Sequence, residues 1–342
     1  MTDRTVTLAH GAGTERTREL LADLVVDRFG DAPADPAGVG LAALDDGAVL
    51  PTDDGAVVIT TDSHVVDPPS FPGGDVGRLA ACGTINDLAA MGATDPLGLS
   101  SAVVVEAGTP VDRVDAYLDS MAAVCDRVGC PVRTGDTKVV RDGEVDEVVV
   151  TTTGVARIER GAHLPAAGLS PGDRLVVSGP VGDHGVALLA AREDFEFASP
   201  LTSDVAPVAH LVAAAREVGR VTAATDPTRG GFATAVNELA DAADLGLVVE
   251  ERAVPVADAT AGAAEVLGID PLTVACEGRI VLGVAPEDAE RVRDRLRDEP
   301  GGADARIVGR AVADHPGEVV LDTGVGERYL PVPTGETLPR IC

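Results

Sequence analysis

The sequence predicts two α/β domains followed by a proline-bearing tail. Three observations carry this reading. The chain has 342 residues, more than one ordinary hydrophobic core organises. Apolar strand-like runs alternate with segments of helical spacing. The alternation restarts after a linker-like stretch, GAHLPAAGLSPGD, so the halves join near residues 158–172.

The elements follow in order. TRELLADLVVDRF sets Leu20, Leu21, Leu24 and Val25 at helical spacing, and Gly30 stops it. AVVITTD is a strand ending at Asp62. DVGRLAACGTINDLAAMGA is a helix with Asp75 as N-cap and Gly92 as stop. LSSAVVVE is a strand, VDRVDAYLDSMAAVCDRVG a helix ended by Gly129, and EVVVTTTGVA a strand. The second half opens on RLVVSG. Helices near 184–193 and 205–217 follow, then the loop TDPTRGG, a helix near 231–243 and the strand LGLVVE. Helices near 258–267 and 286–298 complete the pattern, with short strands between and after. The expected divisions are an N-terminal segment with a helix (1–34), a first domain (35–157), a second (158–327) and a tail (328–342).

Composition excludes several partner classes. Lys+Arg total 27 against 56 Asp+Glu, a formal net charge of −29. Such a surface repels nucleic-acid backbones and anionic lipid. Lys138 is the only lysine in the sequence, and the other fixed positive charges are arginines. This bias suggests a halophilic protein of a high-salt cytoplasm, where screening shortens the reach of like-charge repulsion. No apolar run approaches the roughly 18 residues that a membrane helix needs. MTDRTVTLAHGAG lacks an apolar signal-peptide core, so the expected location is cytoplasmic. Cys82, Cys125, Cys130 and Cys276 form no C-x-x-C pair and have no histidine at zinc spacing. They read as buried small apolar residues.

Most acids on such a chain are solvated surface, so a carboxylate is informative only where its neighbours are small or apolar. Asp45 and Asp46 precede a strand in LDDGAVL, and Asp62 ends a strand in ITTDSH. Asp87 sits in the small, apolar helix GTINDLAAMGA. Asp136 falls in TGDTKVV, expected as a turn, and Asp226 precedes the glycine pair of TDPTRGG. Converging carboxylates repel one another unless cations lie between them, and magnesium is the cation that hard oxygen ligands favour beside phosphates. Taken singly, each of these acids is equally well a cap or turn former. Gly73 and Gly74 in FPGGDVG offer close backbone approach to phosphate oxygens. No G-x-x-x-x-G-K-[ST] is present, so a nucleotide site here uses acid-held magnesium and backbone. Lys138 can lose its proton when desolvated, which arginine cannot. Glu277 in ACEGR, between small residues, is a candidate base.

FPGGDVGRLAACGTINDLAAMGA, TGDTKVV, SGPVGDHGVAL, DPTRGG, LGIDPLTVACEGR and the terminal LPRIC resemble the hydrogenase maturation factor family HypE, in order from about residue 8 to 342. The acid motifs are shared with a wider superfamily that includes aminoimidazole ribonucleotide synthetase. Where the family often has HGAGG near its start this chain has HGAGT, with Thr14 in a glycine's place. The resemblance implies an α/β (α+β), two-domain aminoimidazole ribonucleotide synthetase-like fold. Mixed sheets would be packed by helices, residues 35–157 would bind ATP and dimerise, and the C-terminal tail would be flexible. It implies that Cys342 carries a carbamoyl group, which the enzyme dehydrates to a thiocyanate with ATP and magnesium. The cyanide then goes to the iron of a [NiFe]-hydrogenase. Lys138 and Glu277 would move protons. Asp46, Asp62, Asp87, Asp136, Asp226, Gly73 and Gly74 would bind ATP, and Asp45, Asp62, Asp87, Asp136 and Asp226 would hold metal. The implied partners are the carbamoyl-transferring factor HypF, the HypC–HypD scaffold and a second copy of the chain. Two other readings stay open: a small-molecule ATP-dependent synthetase or kinase of the same superfamily, which leaves LPRIC unexplained, and a non-catalytic carrier.

Overall fold

The computed structural model describes residues 5–11, 15–30, 35, 37–195, 197 and 199–333. Helix α1 (Glu15–Leu21) passes through one π-helical turn (Ala22–Val26) into a last turn, α2 (Asp27–Phe29). The first half then builds strands β1 (Ala48–Thr52) and β2 (Gly55–His64), a short hairpin of β3 (Ser70–Phe71) and β4 (Gly74–Asp75), and helix α3 (Val76–Ala90). Strand β5 (Pro96–Glu106), helix α4 (Val111–Val128), β6 (Val132–Val140) and β7 (Val148–Ile158) complete it. The sheet order is β1-β2-β7-β5-β6, and only the β5–β6 pair is parallel, joined by the α4 crossover.

The second half contains β8 (Arg174–Val177), α5 (Asp183–Arg192), α6 (Ala209–Val218), β9 (Val221–Thr225), α7 (Gly231–Ala243) and β10 (Gly246–Glu250). It closes with α8 (Asp258–Leu267), β11 (Val281–Val284), α9 (Ala289–Arg297), β12 (Arg306–Val312), β13 (Val319–Asp322) and β14 (Glu327–Tyr329). Its sheet runs β14-β13-β10-β12-β8-β11-β9, with β10–β13 the parallel pair. Both sheets are therefore mixed and packed by helices, as expected for this fold class. No described helix is long and apolar enough to cross a membrane.

Helix α3 explains how the halves meet. Asp75 caps it, accepting from the Arg78 amide at 2.9 Å. Of its fifteen residues only Arg78 and Asp87 escape full burial. A helix that is apolar or small all round has to be enclosed on every side, and α3 packs on β2, β7, α4 and α6. One apolar cluster consequently runs from Val103 of β5 through Ala89 of α3 to Val212 of α6 and Val292 of α9. The cysteines Cys82, Cys125, Cys130 and Cys276 are buried thiols within these cores.

Four expectations need correction. Asp136 and Lys138 lie within β6, an edge strand, where TGDTKVV had suggested a turn; pairing with β5 keeps this polar segment extended. Strand β2 runs past Asp62 to His64 because β7 pairs with it to the end. Helix α6 starts at Ala209 instead of near 205, since a proline at 207 disfavours the helical region for the residue before it. Residues 328–330, assigned to the tail, belong to the second half: Arg328 and Tyr329 are in β14, and Leu330 is buried and donates its amide to the Val319 carbonyl at 2.8 Å. Cys342 and Thr14 lie outside the described residues.

Candidate functional site

A cavity of about 660 Å³ opens where the two halves meet under α1. The first half contributes Asp45, Asp46, Asp62 and Asp87. The second contributes Asp226, Arg229, Glu238 and Glu277, and α1 adds Thr17, Arg18 and Leu21. Strand ends and helix placement explain the convergence. Asp45 and Asp46 lead into β1, Asp62 is near the end of β2, Asp87 is on the fourth turn of α3, and Asp226 directly follows β9.

Asp46, Asp87 and Asp226 each offer an oxygen within 4.8 Å of the others. The Asp46 and Asp226 Oδ2 atoms and Glu277 Oε1 are buried without a hydrogen-bond partner. Buried carboxylate oxygens left this way are costly unless a cation or ligand satisfies them. The Thr60 hydroxyl lies 2.8 Å from Asp87 Oδ2 and 2.9 Å from the Asp46 carbonyl, tying the two segments together. Asp45 is differently engaged. Its Oδ1 accepts from the Asp46 amide at 3.1 Å and its Oδ2 from the Ala166 amide at 3.2 Å. Of the adjacent pair, Asp46 is the one aimed at the cluster, and Asp45 fastens the strand to the linker. Asp62 accepts from the Ser63 amide at 2.7 Å and pairs with the buried His64 Nε2 at 3.3 Å. Burial holds the His64 ring below its usual pKa against the pull of Asp62.

The electrostatics follow from enclosure. Burial first, then the neighbouring Asp226 and Asp87, pushes the Asp46 carboxyl well up. Burial, then Asp226 and Asp62, does the same at Asp87. Burial and Asp62 lift Asp226 to about 7. Glu277 is pushed well up by burial and then by Asp226. Its main chain is held from two sides. The Glu277 amide donates to Asp204 Oδ1 at 3.1 Å, and its carbonyl accepts from Asn86 Nδ2 at 3.2 Å. Asp204 is itself paired with Arg279 at 3.3 Å. A desolvated carboxyl with a high pKa, rigidly held beside an acid cluster, is suited to taking or giving protons.

The cavity thus brings together Asp45, Asp46, Asp62, Asp87, Asp226 and Glu277. It does not include Asp136 or Lys138. These lie 3.8 Å apart on β6, with side chains 70% and 67% exposed. Gly73 and Gly74 are also elsewhere. Gly73, at φ 98°, turns the β3–β4 hairpin, and a Cβ there would come within 2.8 Å of the Ser203 carbonyl. The close approach that FPGGDVG provides is to residues 202–205, not to a phosphate in this cavity. Sequence reasoning missed Arg18, Arg229, Glu238 and Asn86. Arg229 stood within the quoted TDPTRGG, where the glycines drew attention instead. Arg18 reaches Glu238 at 3.3 Å and Asp241 at 3.2 Å on α7, a pairing with no local signature.

Comparison with known proteins fits this geometry. Residues 44–158 match the family model described as AIR synthase related protein, N-terminal domain, and residues 170–322 the corresponding C-terminal domain. The chain is 43% identical to the carbamoyl dehydratase HypE of Rhodobacter capsulatus over 342 residues, covering 99% of each. Among solved structures it is similar to HypE in a HypE–HypF complex, with a TM-score of 0.85, 35% identity, and 92% and 99% of the two chains covered. It is also similar to hydrogenase maturation protein HypE in complex with ATP, with a TM-score of 0.81, 36% identity, and 99% and 100% covered.

Proposed function

The chain belongs to the HypE family of carbamoyl dehydratases, and on that premise we propose how its cavity carries out ATP-dependent dehydration in hydrogenase maturation. The carrying observation is the placement of Asp46, Asp87 and Asp226 with oxygens within 4.8 Å, beside the buried Glu277, in one cavity of nucleotide size.

The substrate is a carbamoyl group on the thiol of Cys342. The bond from the terminal phosphorus to the bridging oxygen of ATP breaks, its electron pair leaving with ADP. A new bond forms from that phosphorus to the carbamoyl oxygen. Loss of phosphate then takes that oxygen away, both N–H protons depart, and the S-cyanate remains. An amide oxygen is a poor leaving group, and phosphorylation makes it a good one. Asp46, Asp87 and Asp226 would hold magnesium, with Asp62 at the rim; the unsatisfied buried oxygens fit a hard cation. Bound there, magnesium would offset charge on the phosphates. Glu277 takes an N–H proton, and burial, by raising its pKa above the ordinary carboxyl range, makes it a stronger base for that task.

Lys138 and Asp136 join the site through a second copy. Cross-strand register places Ser63, Thr151, Ala102 and Asp136 in one row, and Val149, Val104 and Lys138 in the next, all on the face of the first sheet turned away from α3. That face carries small hydroxyl and apolar side chains that are half-exposed, including the pairs Thr61–Thr153 at 3.0 Å and Ser63–Thr151 at 2.8 Å. Two such faces packed together would form a symmetric dimer. HypF supplies the carbamoyl group and the HypC–HypD scaffold receives the cyanide.

The test is intact-protein mass after HypF, carbamoyl phosphate and ATP are added. The wild-type chain gains a carbamoyl group and then loses the mass of one water. A Cys342→Ser variant shows neither change, because a serine hydroxyl is essentially never ionised at neutral pH. An adduct on the serine variant that dehydrates like the wild type rules out the carrier role.

A further inference from the structure

Carboxylates dominate the charged lining of the cavity. Asp45, Asp46, Asp62 and Asp87 come from the first half and Asp226, Glu238 and Glu277 from the second, while the basic residues on its wall are Arg18 and Arg229. Arg18 is engaged by Glu238 and Asp241 on α7. Lys138 is not on the wall of this chain's cavity. Arg229 sits in the loop between Asp226 and α7, exposed at the cavity wall.

That loop is held firmly. The Thr228 amide donates to the Asp226 carbonyl at 3.0 Å, and the Gly231 amide to the Thr228 carbonyl at 2.8 Å. The Cys276 amide donates to the Pro227 carbonyl at 2.9 Å, which fastens the loop to the segment bearing Glu277. Gly230 and Gly231 have φ of 77° and 62°, and a Cβ on Gly231 would come within 2.4 Å of the Val274 carbonyl. Only glycine fits such a turn. Arg229 is therefore a long side chain on a rigid base, three residues from Asp226 and next to the loop of the candidate base. It shares the cavity wall with Asp87, Asp226, Glu238 and Glu277, and its positive charge counters part of the rise that burial imposes on each of them.

Resting on the dehydratase reading above, we infer that Arg229 is a catalytic residue that grips the phosphoryl group while it passes from ATP to the carbamoyl oxygen. A planar guanidinium matches two phosphoryl oxygens at once, which a lysine cannot do. A divalent cation held by Asp46, Asp87 and Asp226 would offset charge on the phosphates. Arg229 would do so from the loop that Cys276, next to Glu277, fastens in place. As the phosphorus moves between two oxygens, charge spreads over its equatorial oxygens, so the contact strengthens in the transition state more than in bound ATP.

The experiment compares wild type, Arg229→Ala and Arg229→Lys as carbamoylated full-length protein at saturating magnesium. It follows water loss by intact mass and ADP formation in parallel, and measures binding of a non-hydrolysable ATP analogue by calorimetry. The alanine variant is expected to bind the analogue within about threefold of wild type yet dehydrate on the order of 10²–10³ times more slowly, the range that loss of one oriented charge on a developing anion produces. The lysine variant recovers part of that loss. Wild-type rates in the alanine variant overturn the inference. So does a loss confined to analogue affinity with turnover unchanged at saturating ATP. A lysine variant at full rate reduces Arg229 to a balancing charge and overturns it too. If wild type forms ADP without losing water, the dehydratase reading fails, and Arg229 is then judged on ADP formation alone.

Discussion

Asn86 Nδ2 donates to the Glu277 carbonyl at 3.2 Å, across the seam between the two halves. The same amide group donates to the Ala206 carbonyl at 3.1 Å, and Asn86 Oδ1 accepts from the Val208 amide at 2.8 Å. All three bonds leave α3 for the second half, and the next residue is Asp87. One helical step therefore carries both a member of the acid cluster and the clamp that holds the candidate base opposite it.

Asn86→Ala removes the clamp: the Val208 amide and the Ala206 carbonyl lose their Asn86 partner, and the Glu277 carbonyl keeps only the Ala206 amide at 3.3 Å. The expected loss is about 1–3 kcal/mol of stability, together with a fall in dehydration rate larger than any change in ATP affinity. Denaturant unfolding and single-turnover water loss measure the two. A variant that is destabilised but dehydrates normally would show that Asn86 supports the fold alone.

Asp46 and Asp45 are separable. Asp46→Asn is expected to weaken magnesium-dependent ATP binding by roughly tenfold or more, because it removes a ligand charge from the cluster. Asp45→Asn keeps one acceptor oxygen for the two amide donors and so gives up one tether, but because that side chain is engaged by the Ala166 and Asp46 amides it should change the binding by less than about threefold. Calorimetric titration with and without magnesium decides. Equal effects would mean that both carboxylates face the cation.

The acid cluster also dictates a pH response in the metal-free protein. The Asp226 carboxyl rises from its ordinary 3.8 to about 7 in the fold. The native state then binds more protons than the unfolded chain between those values, so this contribution is full below about 4 and is lost as pH rises through about 7. Asp226→Asn should flatten that part of the curve. Added magnesium should stabilise wild type more at pH 8 than at pH 6, since it competes with the proton. Thermal unfolding across that range checks both, and an identical slope in the variant would remove Asp226 from the effect.

If a second copy supplies Lys138, two defective chains can repair one another. Lys138→Ala and Asp87→Asn are each expected to be inactive alone. Mixed after dissociation and reassembly, half the dimers are heterodimers with one intact site, which restores about a quarter of the activity. No recovery on mixing would place Lys138 and Asp87 in the same chain's site.

The acids that meet in the cavity were legible because carboxylates among alanines and glycines have no ordinary surface explanation. Asp46, Asp62, Asp87 and Asp226 stood out for that reason, as did Glu277 between Cys276 and Gly278. Helix α3 was legible from its caps and its small, apolar run. Other features depend on tertiary pairing and leave no local trace. Arg18 meets Glu238 and Asp241 more than two hundred residues away. Asn86 looks like any polar residue in a helix until residues 206–208 and 277 come beside it. Asp136 and Lys138 read as a turn because glycine and aspartate favour turns, and only the neighbouring β5 makes the segment a strand. The glycines of FPGGDVG were misread because close backbone approach serves a phosphate and a packed neighbouring loop equally well.

The enclosure of α3 also bears on how the molecule comes apart. Its Leu88 and Thr84 side chains pack against Gly154 of β7, while Asn86 and Arg78 bond to residues 205–208. Opening the seam between the halves strips that helix of half its surroundings, and neither sheet can then keep it. The first half has no independent solution for its central helix. Heating should therefore produce one cooperative transition for the whole assembly of sheets, where a chain of two separable modules would melt in two steps.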